Sequence, residues 1–314
     1  MVRVGIDLGG TNVAFGLTKE DGTLIAKTSV RTKKDLDAEA LTDYIAESVF
    51  SWLKEQGITD DDILSIGMGT PGVTDDQIGE VVYTSNLPFY HTPAREIFHR
   101  YTKHPLRFAN DADCAALGEM ICGGAKGYKN SITVTLGTGV GGGIIIDGKI
   151  YSGFNGAGGE LGHMVIRKDG EACNCGRKGC LEAYASATAL IRDTVRAAKA
   201  HPDCAVWQLC EGDLSKINAK TAFDGMRLGD AVCTELVQQY IEALGDGIIN
   251  YINIFQPEII LIGGGVSKEG ENLLAPLREY VFRYTYGRDF LPRTRIERTV
   301  LGNDAGIIGA AMIN

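Results

Sequence analysis

Two short segments have the composition of phosphate-binding turns. Asp7-Leu8-Gly9-Gly10-Thr11-Asn12 and Leu136-Gly137-Thr138-Gly139 each combine glycines with a threonine. Where side chains are missing, backbone N–H groups can close around phosphate oxygens, and the threonine adds a hydroxyl donor. Asp7 ends the first apolar run, a position from which a carboxylate can hold the hydration shell of a magnesium ion on those phosphates. A third glycine run, Gly263-Gly264-Gly265, follows the apolar residues 259–262 and offers bare backbone on which a flat ring such as that of adenosine can lie. Cys173, Cys175 and Cys180 form a separate constellation with His163 upstream. Three thiolates and one imidazole complete a tetrahedral zinc set, closed and therefore structural rather than catalytic. Gly176 and Gly179 would let so short a loop wrap an ion. The other cysteines (114, 122, 204, 210 and 233) are scattered and read as small buried apolar side chains.

Two better-known phosphate motifs are excluded by context. Gly137, Gly139 and Gly142 have the spacing of a dinucleotide-binding loop, but Ile144-Ile145-Ile146 continues as a strand where that loop needs a helix. Residues 143–149 begin like a Walker A loop, yet Ile150 stands where a magnesium-binding hydroxyl is required.

The elements that must position these turns can be read from periodicity. Residues 2–8, 13–17 and 23–30 form a three-strand meander, and Leu41, Ile45, Val49 and Leu53 predict an amphipathic helix over 38–56. A strand over 63–69 ends in Thr70-Pro71-Gly72. The opening pattern then returns: strand 131–136, the second glycine-threonine turn, strand 142–146, Asp147-Gly148, and a further strand at 149–151. Gly9 and Gly137 are 128 positions apart, too long a period for a solenoid, so the pattern predicts a duplicated domain with two lobes that bring both turns to one cleft. Helices are expected over 183–200 and 229–255, with 202–220 the least patterned stretch.

Composition limits the partners. The formal net charge of -9 opposes nucleic acid and anionic lipid and favours small molecules. With no apolar signal core at the N-terminus and no run of about 18 apolar residues, the expectation is a cytoplasmic protein whose 8 cysteines stay reduced.

From Gly5 to about Ala311 the sequence resembles the ROK family of sugar kinases and sugar-responsive repressors, and within it the bacterial glucokinases. The resemblance rests on Asp7 to Asn12, Thr70-Pro71-Gly72, Asn86-Leu87, Asn110-Asp111-Ala112, Leu136 to Gly143, Glu160-Leu161-Gly162-His163, Cys173 to Glu182, and Gly302-Asn303-Asp304-Ala305-Gly306. It implies an α/β, two-lobed actin-like (ribonuclease H-like) ATPase fold with a duplicated strand-turn-strand core and an interlobe cleft. The expected lobes are 1–115, completed by 300–314, and 116–299, which carries the zinc loop 163–182.

The same resemblance implies ATP-dependent phosphorylation of a hexose, glucose above all, with Asp111 as catalytic base. Sugar contacts fall to Gly72, Asn86, Asn110, Asp111, Glu160, His163 and Glu182, the histidine using the ring nitrogen not bound to metal. Asp7, Gly9, Gly10, Thr11, Asn12, Gly137, Thr138, Gly139, Gly263, Gly264 and Gly265 would hold ATP with magnesium, and His163, Cys173, Cys175 and Cys180 a structural zinc. Because Glu160 and Glu182 closely flank the zinc ligands while the phosphate turns lie outside the loop, zinc loss is expected to disorder the sugar acids first. Asp113 replaces the family's usual asparagine, and Pro88-Phe89-Tyr90 its glycine-tryptophan pair. A kinase for N-acetylhexosamine, mannose or fructose is the alternative enzyme. A non-enzymatic regulator is disfavoured, since family repressors begin with a helix-turn-helix module and here the strand of the first turn starts at Val2. A homodimer or homotetramer is expected.

Overall fold

A computed structural model describes residues 1–313. The first half contains β1 (Val2–Leu8), β2 (Asn12–Thr18), β3 (Leu24–Arg31), α1 (Ala38–Glu55), β4 (Ile63–Thr70), β5 (Val73–Asp75), β6 (Glu80–Tyr83), β7 (Tyr90–Thr92), α2 (Ala94–Phe98), β8 (Leu106–Asn110) and α3 (Asp111–Cys122). Then come β9 (Ser131–Leu136), β10 (Val140–Ile146), β11 (Lys149–Ile150), α4 (Glu182–Ala185), α5 (Ala187–Ala200), α6 (Val206–Leu209), α7 (Thr221–Arg227), α8 (Ala231–Phe255), β12 (Ile259–Gly263), α9 (Glu271–Tyr284), β13 (Arg295–Arg298) and α10 (Asp304–Ala311).

The first sheet has the order β3-β2-β1-β4-β8. Its meander β1-β2-β3 is antiparallel, whereas β4 and β8 join β1 in parallel. The second sheet, β11-β10-β9-β12-β13, repeats that order, with β10-β11 antiparallel and β12-β13 parallel. This is the duplicated core of the actin-like, ribonuclease H-like ATPase fold. By internal contacts the chain divides into two compact units, one of residues 1–133, 143–159 and 299–314, the other of 134–142 and 160–298.

In the first unit, α10 is buried on all sides, which is why no amphipathic pattern announces it. It approaches its neighbours at backbone distance: a Cβ on Gly5 of β1 would fall 1.9 Å from the Ile307 carbonyl oxygen, and one on Gly309 would fall 1.7 Å from that of Cys114. The fully buried Glu119 of α3 fixes the segment leading into α10, accepting the backbone N–H groups of Val300 and Leu301 together with that of Gly124. A buried carboxylate is tolerated there because several donors replace its water.

The helix expected over 183–200 is in fact two. Ser186 takes an extended conformation and its hydroxyl accepts the Ala189 N–H, so it closes α4 and caps α5. The weakly patterned 202–220 stretch holds only α6 and a single 3-10 turn at Leu214–Lys216. Of the scattered cysteines, Cys114, Cys204, Cys210 and Cys233 are buried as expected, and Cys122 is partly exposed. Among the described residues no helix is long and apolar enough to cross a membrane.

Candidate active site

In the first unit the strand ends assemble a carboxylate pair beside the Gly9–Asn12 turn. Asp7 lies opposite Gly69 of β4, and Thr70 opposite Asn110 of β8, so the parallel strands deliver Asp7 and the start of α3 to the same edge of the sheet. Asn110 is the N-cap of α3: its side-chain oxygen accepts the Ala112 N–H at 2.8 Å while its amide donates to the Gly72 carbonyl at 3.1 Å. Gly72 has φ +83°, and a Cβ there would lie 2.1 Å from the Tyr83 carbonyl oxygen, so only glycine fits. Because Asn110 caps the helix, Asp111 need not.

Burial, and then the nearby Asp111 carboxylate, push Asp7 up to about 6. Burial also raises Asp111, opposed by the Ala112 N–H, which bonds its carboxylate at 2.9 Å. Desolvated acids with a shared field are what a proton-accepting site or a cation site needs. Gly306 of α10 leaves the room for Asp7, since a Cβ there would meet its carboxylate oxygen at 2.5 Å. The first turn is closed by Gly9 N–H donating to Asn12 O at 3.0 Å, and β3 is fastened to it by Thr32, whose hydroxyl donates to Gly9 O and whose N–H donates to Thr11 O. Asn86 rests on this turn, its amide nitrogen 3.1 Å from where a Gly10 Cβ would stand.

In the second unit, the turn at Gly137–Gly139 is braced by the start of α5. Ala187 N–H donates to Gly137 O at 2.8 Å, and the Thr188 hydroxyl donates to Thr138 O at 2.8 Å. Gly264, at φ +81°, packs on this turn's strand, with its missing Cβ 2.4 Å from Leu136 O, so the two glycine runs that read as nucleotide contacts are neighbours.

The sequence-predicted zinc ligands converge. One ligand atom from each of His163, Cys173, Cys175 and Cys180 lies within 4.8 Å of all the others. Cys173 Sγ is 3.5 Å from His163 Nδ1, and Cys175 Sγ is 3.6 Å from Cys180 Sγ. Zinc bonds to sulfur and nitrogen at tetrahedral angles put such atoms roughly 3.5 to 3.8 Å apart, so the donor set fits a zinc ion. Gly176 and Gly179 have positive φ, and a Cβ on Gly179 would collide with Arg167 O at 1.6 Å. His163 turns Nδ1 to the cysteines and Nε2 to Glu160, 3.9 Å away. Glu182 faces two ways: one oxygen accepts the Val140 N–H at 3.0 Å and the other lies 3.7 Å from Cys173 Sγ. This links the cysteine loop directly to the end of the Gly137–Gly139 turn, although the segments are far apart in sequence.

The pattern that defines the ROK family matches residues 3–314. The chain belongs to the ROK family. It is 37% identical over 312 residues to the glucokinase of Thermotoga maritima, covering 99% of this chain and 96% of that one. Among solved ROK structures, the glucokinase of Streptomyces griseus in complex with glucose and AMPPNP superposes with a TM-score of 0.80 at 34% identity, covering 99% of this chain and 98% of the other. The ROK hexokinase of Thermus thermophilus gives 0.83 at 34% identity, over 99% and 97%.

Several site residues of this ROK chain carry no motif signal. Thr32 and Thr188 act through hydroxyls that donate to turn carbonyls, Thr32 through its own N–H as well, and Val140 through an N–H that donates to Glu182. Gly306 belongs to a motif of the resemblance, yet its service to Asp7 is visible only once α10 is placed.

Proposed function

We propose that the chain transfers the γ-phosphoryl group of ATP to the 6-hydroxyl of glucose, with Asp111 as the base. The observation that carries this reading is Asp111 at the head of α3, desolvated and beside Asp7 and the Gly9–Asn12 turn, in a chain alike over its length to a glucokinase solved with glucose and AMPPNP. A sugar hydroxyl is far less acidic than a carboxylic acid, so Asp111 takes the proton only as the oxygen attacks phosphorus. Asn110, Glu160, His163 Nε2 and Glu182 orient the hydroxyls. The N–H groups of both glycine-threonine turns, other than those of Gly9 and Gly137, which are bonded within the turns, hold phosphate oxygens, and Gly263, Gly264 and Gly265 carry the adenosine. Asp7 would hold magnesium, which neutralises phosphate charge when bound. A structural zinc on His163, Cys173, Cys175 and Cys180 would fix the direction of Glu160, His163 and Glu182. Cytoplasmic location and a homodimer or homotetramer belong to the same proposal, on the strength of the resemblance.

The test is ADP release with ATP and magnesium across glucose, mannose, fructose and N-acetylated hexosamines. Glucose is expected to give the highest kcat/KM. Preference for an N-acetylated sugar would overturn the glucose assignment, and no ADP release with any of them would overturn the kinase.

A further inference from the structure

The residues that read as phosphate ligands in the first unit supply no positive charge. Gly9, Gly10, Thr11 and Asn12 are neutral, while Asp7 and Asp111 repel a polyphosphate when ionised. Phosphoryl transfer spreads negative charge over the oxygens of the moving group, and catalysis of it rests largely on fixed donors and cations aimed at them. A protein-borne cation is therefore missing from the motif-derived site.

The structure supplies one. Beyond β3, Thr32 is pinned to the first turn by two hydrogen bonds, one through its hydroxyl to Gly9 O and one through its N–H to Thr11 O. Two residues later Lys34 reaches the same turn, its Nζ 3.7 Å from where a Cβ on Gly10 would stand, a point that the Asn86 amide nitrogen approaches to 3.1 Å. Its neighbour Lys33 goes elsewhere, with Nζ 4.0 Å from the centre of the Tyr44 ring. Lys34 has no carboxylate or hydrogen-bond partner among the described residues. Gly10 also matters to this arrangement: any side chain there would occupy the gap between the turn and the Asn86 amide. An ammonium beside a turn proposed to bind phosphate, with no anion of its own, has the chemistry of a point-charge phosphate ligand.

We propose that Lys34 is a further catalytic residue, its ammonium donating to the terminal phosphoryl group of the nucleotide during transfer. The inference rests on the kinase reading. In the step, the sugar O6–phosphorus bond forms as the bond from phosphorus to the β-bridging oxygen breaks. ADP leaves with that electron pair, the hydroxyl proton passes to Asp111, and Lys34 keeps its proton throughout.

The experiment compares wild type with Lys34→Met, which keeps the length of the side chain and removes its charge, and with Lys34→Arg. Magnesium is present, and both kinetics and the binding of ADP and AMPPNP are measured. For Lys34→Met, kcat should fall about 10²-fold, as for loss of one charge-stabilising donor. AMPPNP affinity should fall roughly tenfold while ADP affinity stays within about twofold, because only AMPPNP carries the terminal group. The KM for glucose should hold, and Lys34→Arg should recover part of kcat. An ordinary solvated lysine would leave kcat within about twofold, and that result would overturn the proposal. Equal losses of ADP and AMPPNP affinity would overturn it too. Failure of the kinase reading is distinguishable: wild type would then turn over no hexose, and the difference between AMPPNP and ADP binding would still decide the role of Lys34.

Discussion

Asp111→Asn is expected to lower kcat by about 10² to 10⁴, the range for loss of a general base, while glucose still binds. The substitution isolates the base because Asn110, not Asp111, caps α3, and because an asparagine oxygen can still accept the Ala112 N–H. Fold and sugar affinity should therefore be retained, which calorimetry with glucose checks on the sample used for kinetics. The pH profile provides a second reading. In the proposed reaction Asp7 and Asp111 act as anions, and burial raises both, Asp7 to about 6. The ionised fraction then falls as pH drops, so the acid limb of kcat/KM should lie near pH 6, not near the ordinary carboxylate value of about 4. Near-normal turnover in Asp111→Asn would mean that another group takes the proton.

The second large effect is expected from the metal. Wild-type protein never exposed to chelator should contain close to one zinc per chain, and Cys175→Ser should lose most of it. Zinc held by such ligands contributes an apparent ~10 to 16 kcal/mol in small peptides, so mild chelators should remove it only slowly. The variant should show a KM for glucose raised at least about tenfold, the scale of one lost hydrogen bond to a charged group. Sequence order alone places the phosphate turns outside the chelated loop and predicts that nucleotide binding is spared. The Glu182–Val140 hydrogen bond changes that expectation, since a freed Glu182 also releases the end of the Gly137–Gly139 turn. A smaller loss of AMPPNP affinity should accompany the loss of sugar binding. Absence of near-stoichiometric zinc would refute the site.

What could be read from the sequence was what has a period or a fixed composition. β1, β9 and α1 follow from alternation and from apolar residues every fourth position, and the duplicated strand order follows from the paired turns. The three-stranded sheet β5-β6-β7 was not legible, because strands of three or four residues are too short to display a period. Pro276 inside α9 disguised that helix, and the all-round burial of α10 removed its amphipathic signature. In the site, the cluster of His163, Cys173, Cys175 and Cys180 was legible because metal geometry demands particular side chains at close spacing. Lys34 was not, since a lone surface lysine is compositionally ordinary and only the fastening of Thr32 to the turn gives it direction.

The central claim is that this chain moves a phosphoryl group from ATP to glucose O6. Phosphorus NMR of protein incubated with ATP, magnesium and glucose tests it without a coupling enzyme. Glucose 6-phosphate and ADP should appear in equal amounts, and neither should form at a comparable rate with Asp111→Asn. Inorganic phosphate in place of a sugar phosphate, or an unchanged ATP spectrum, would contradict it.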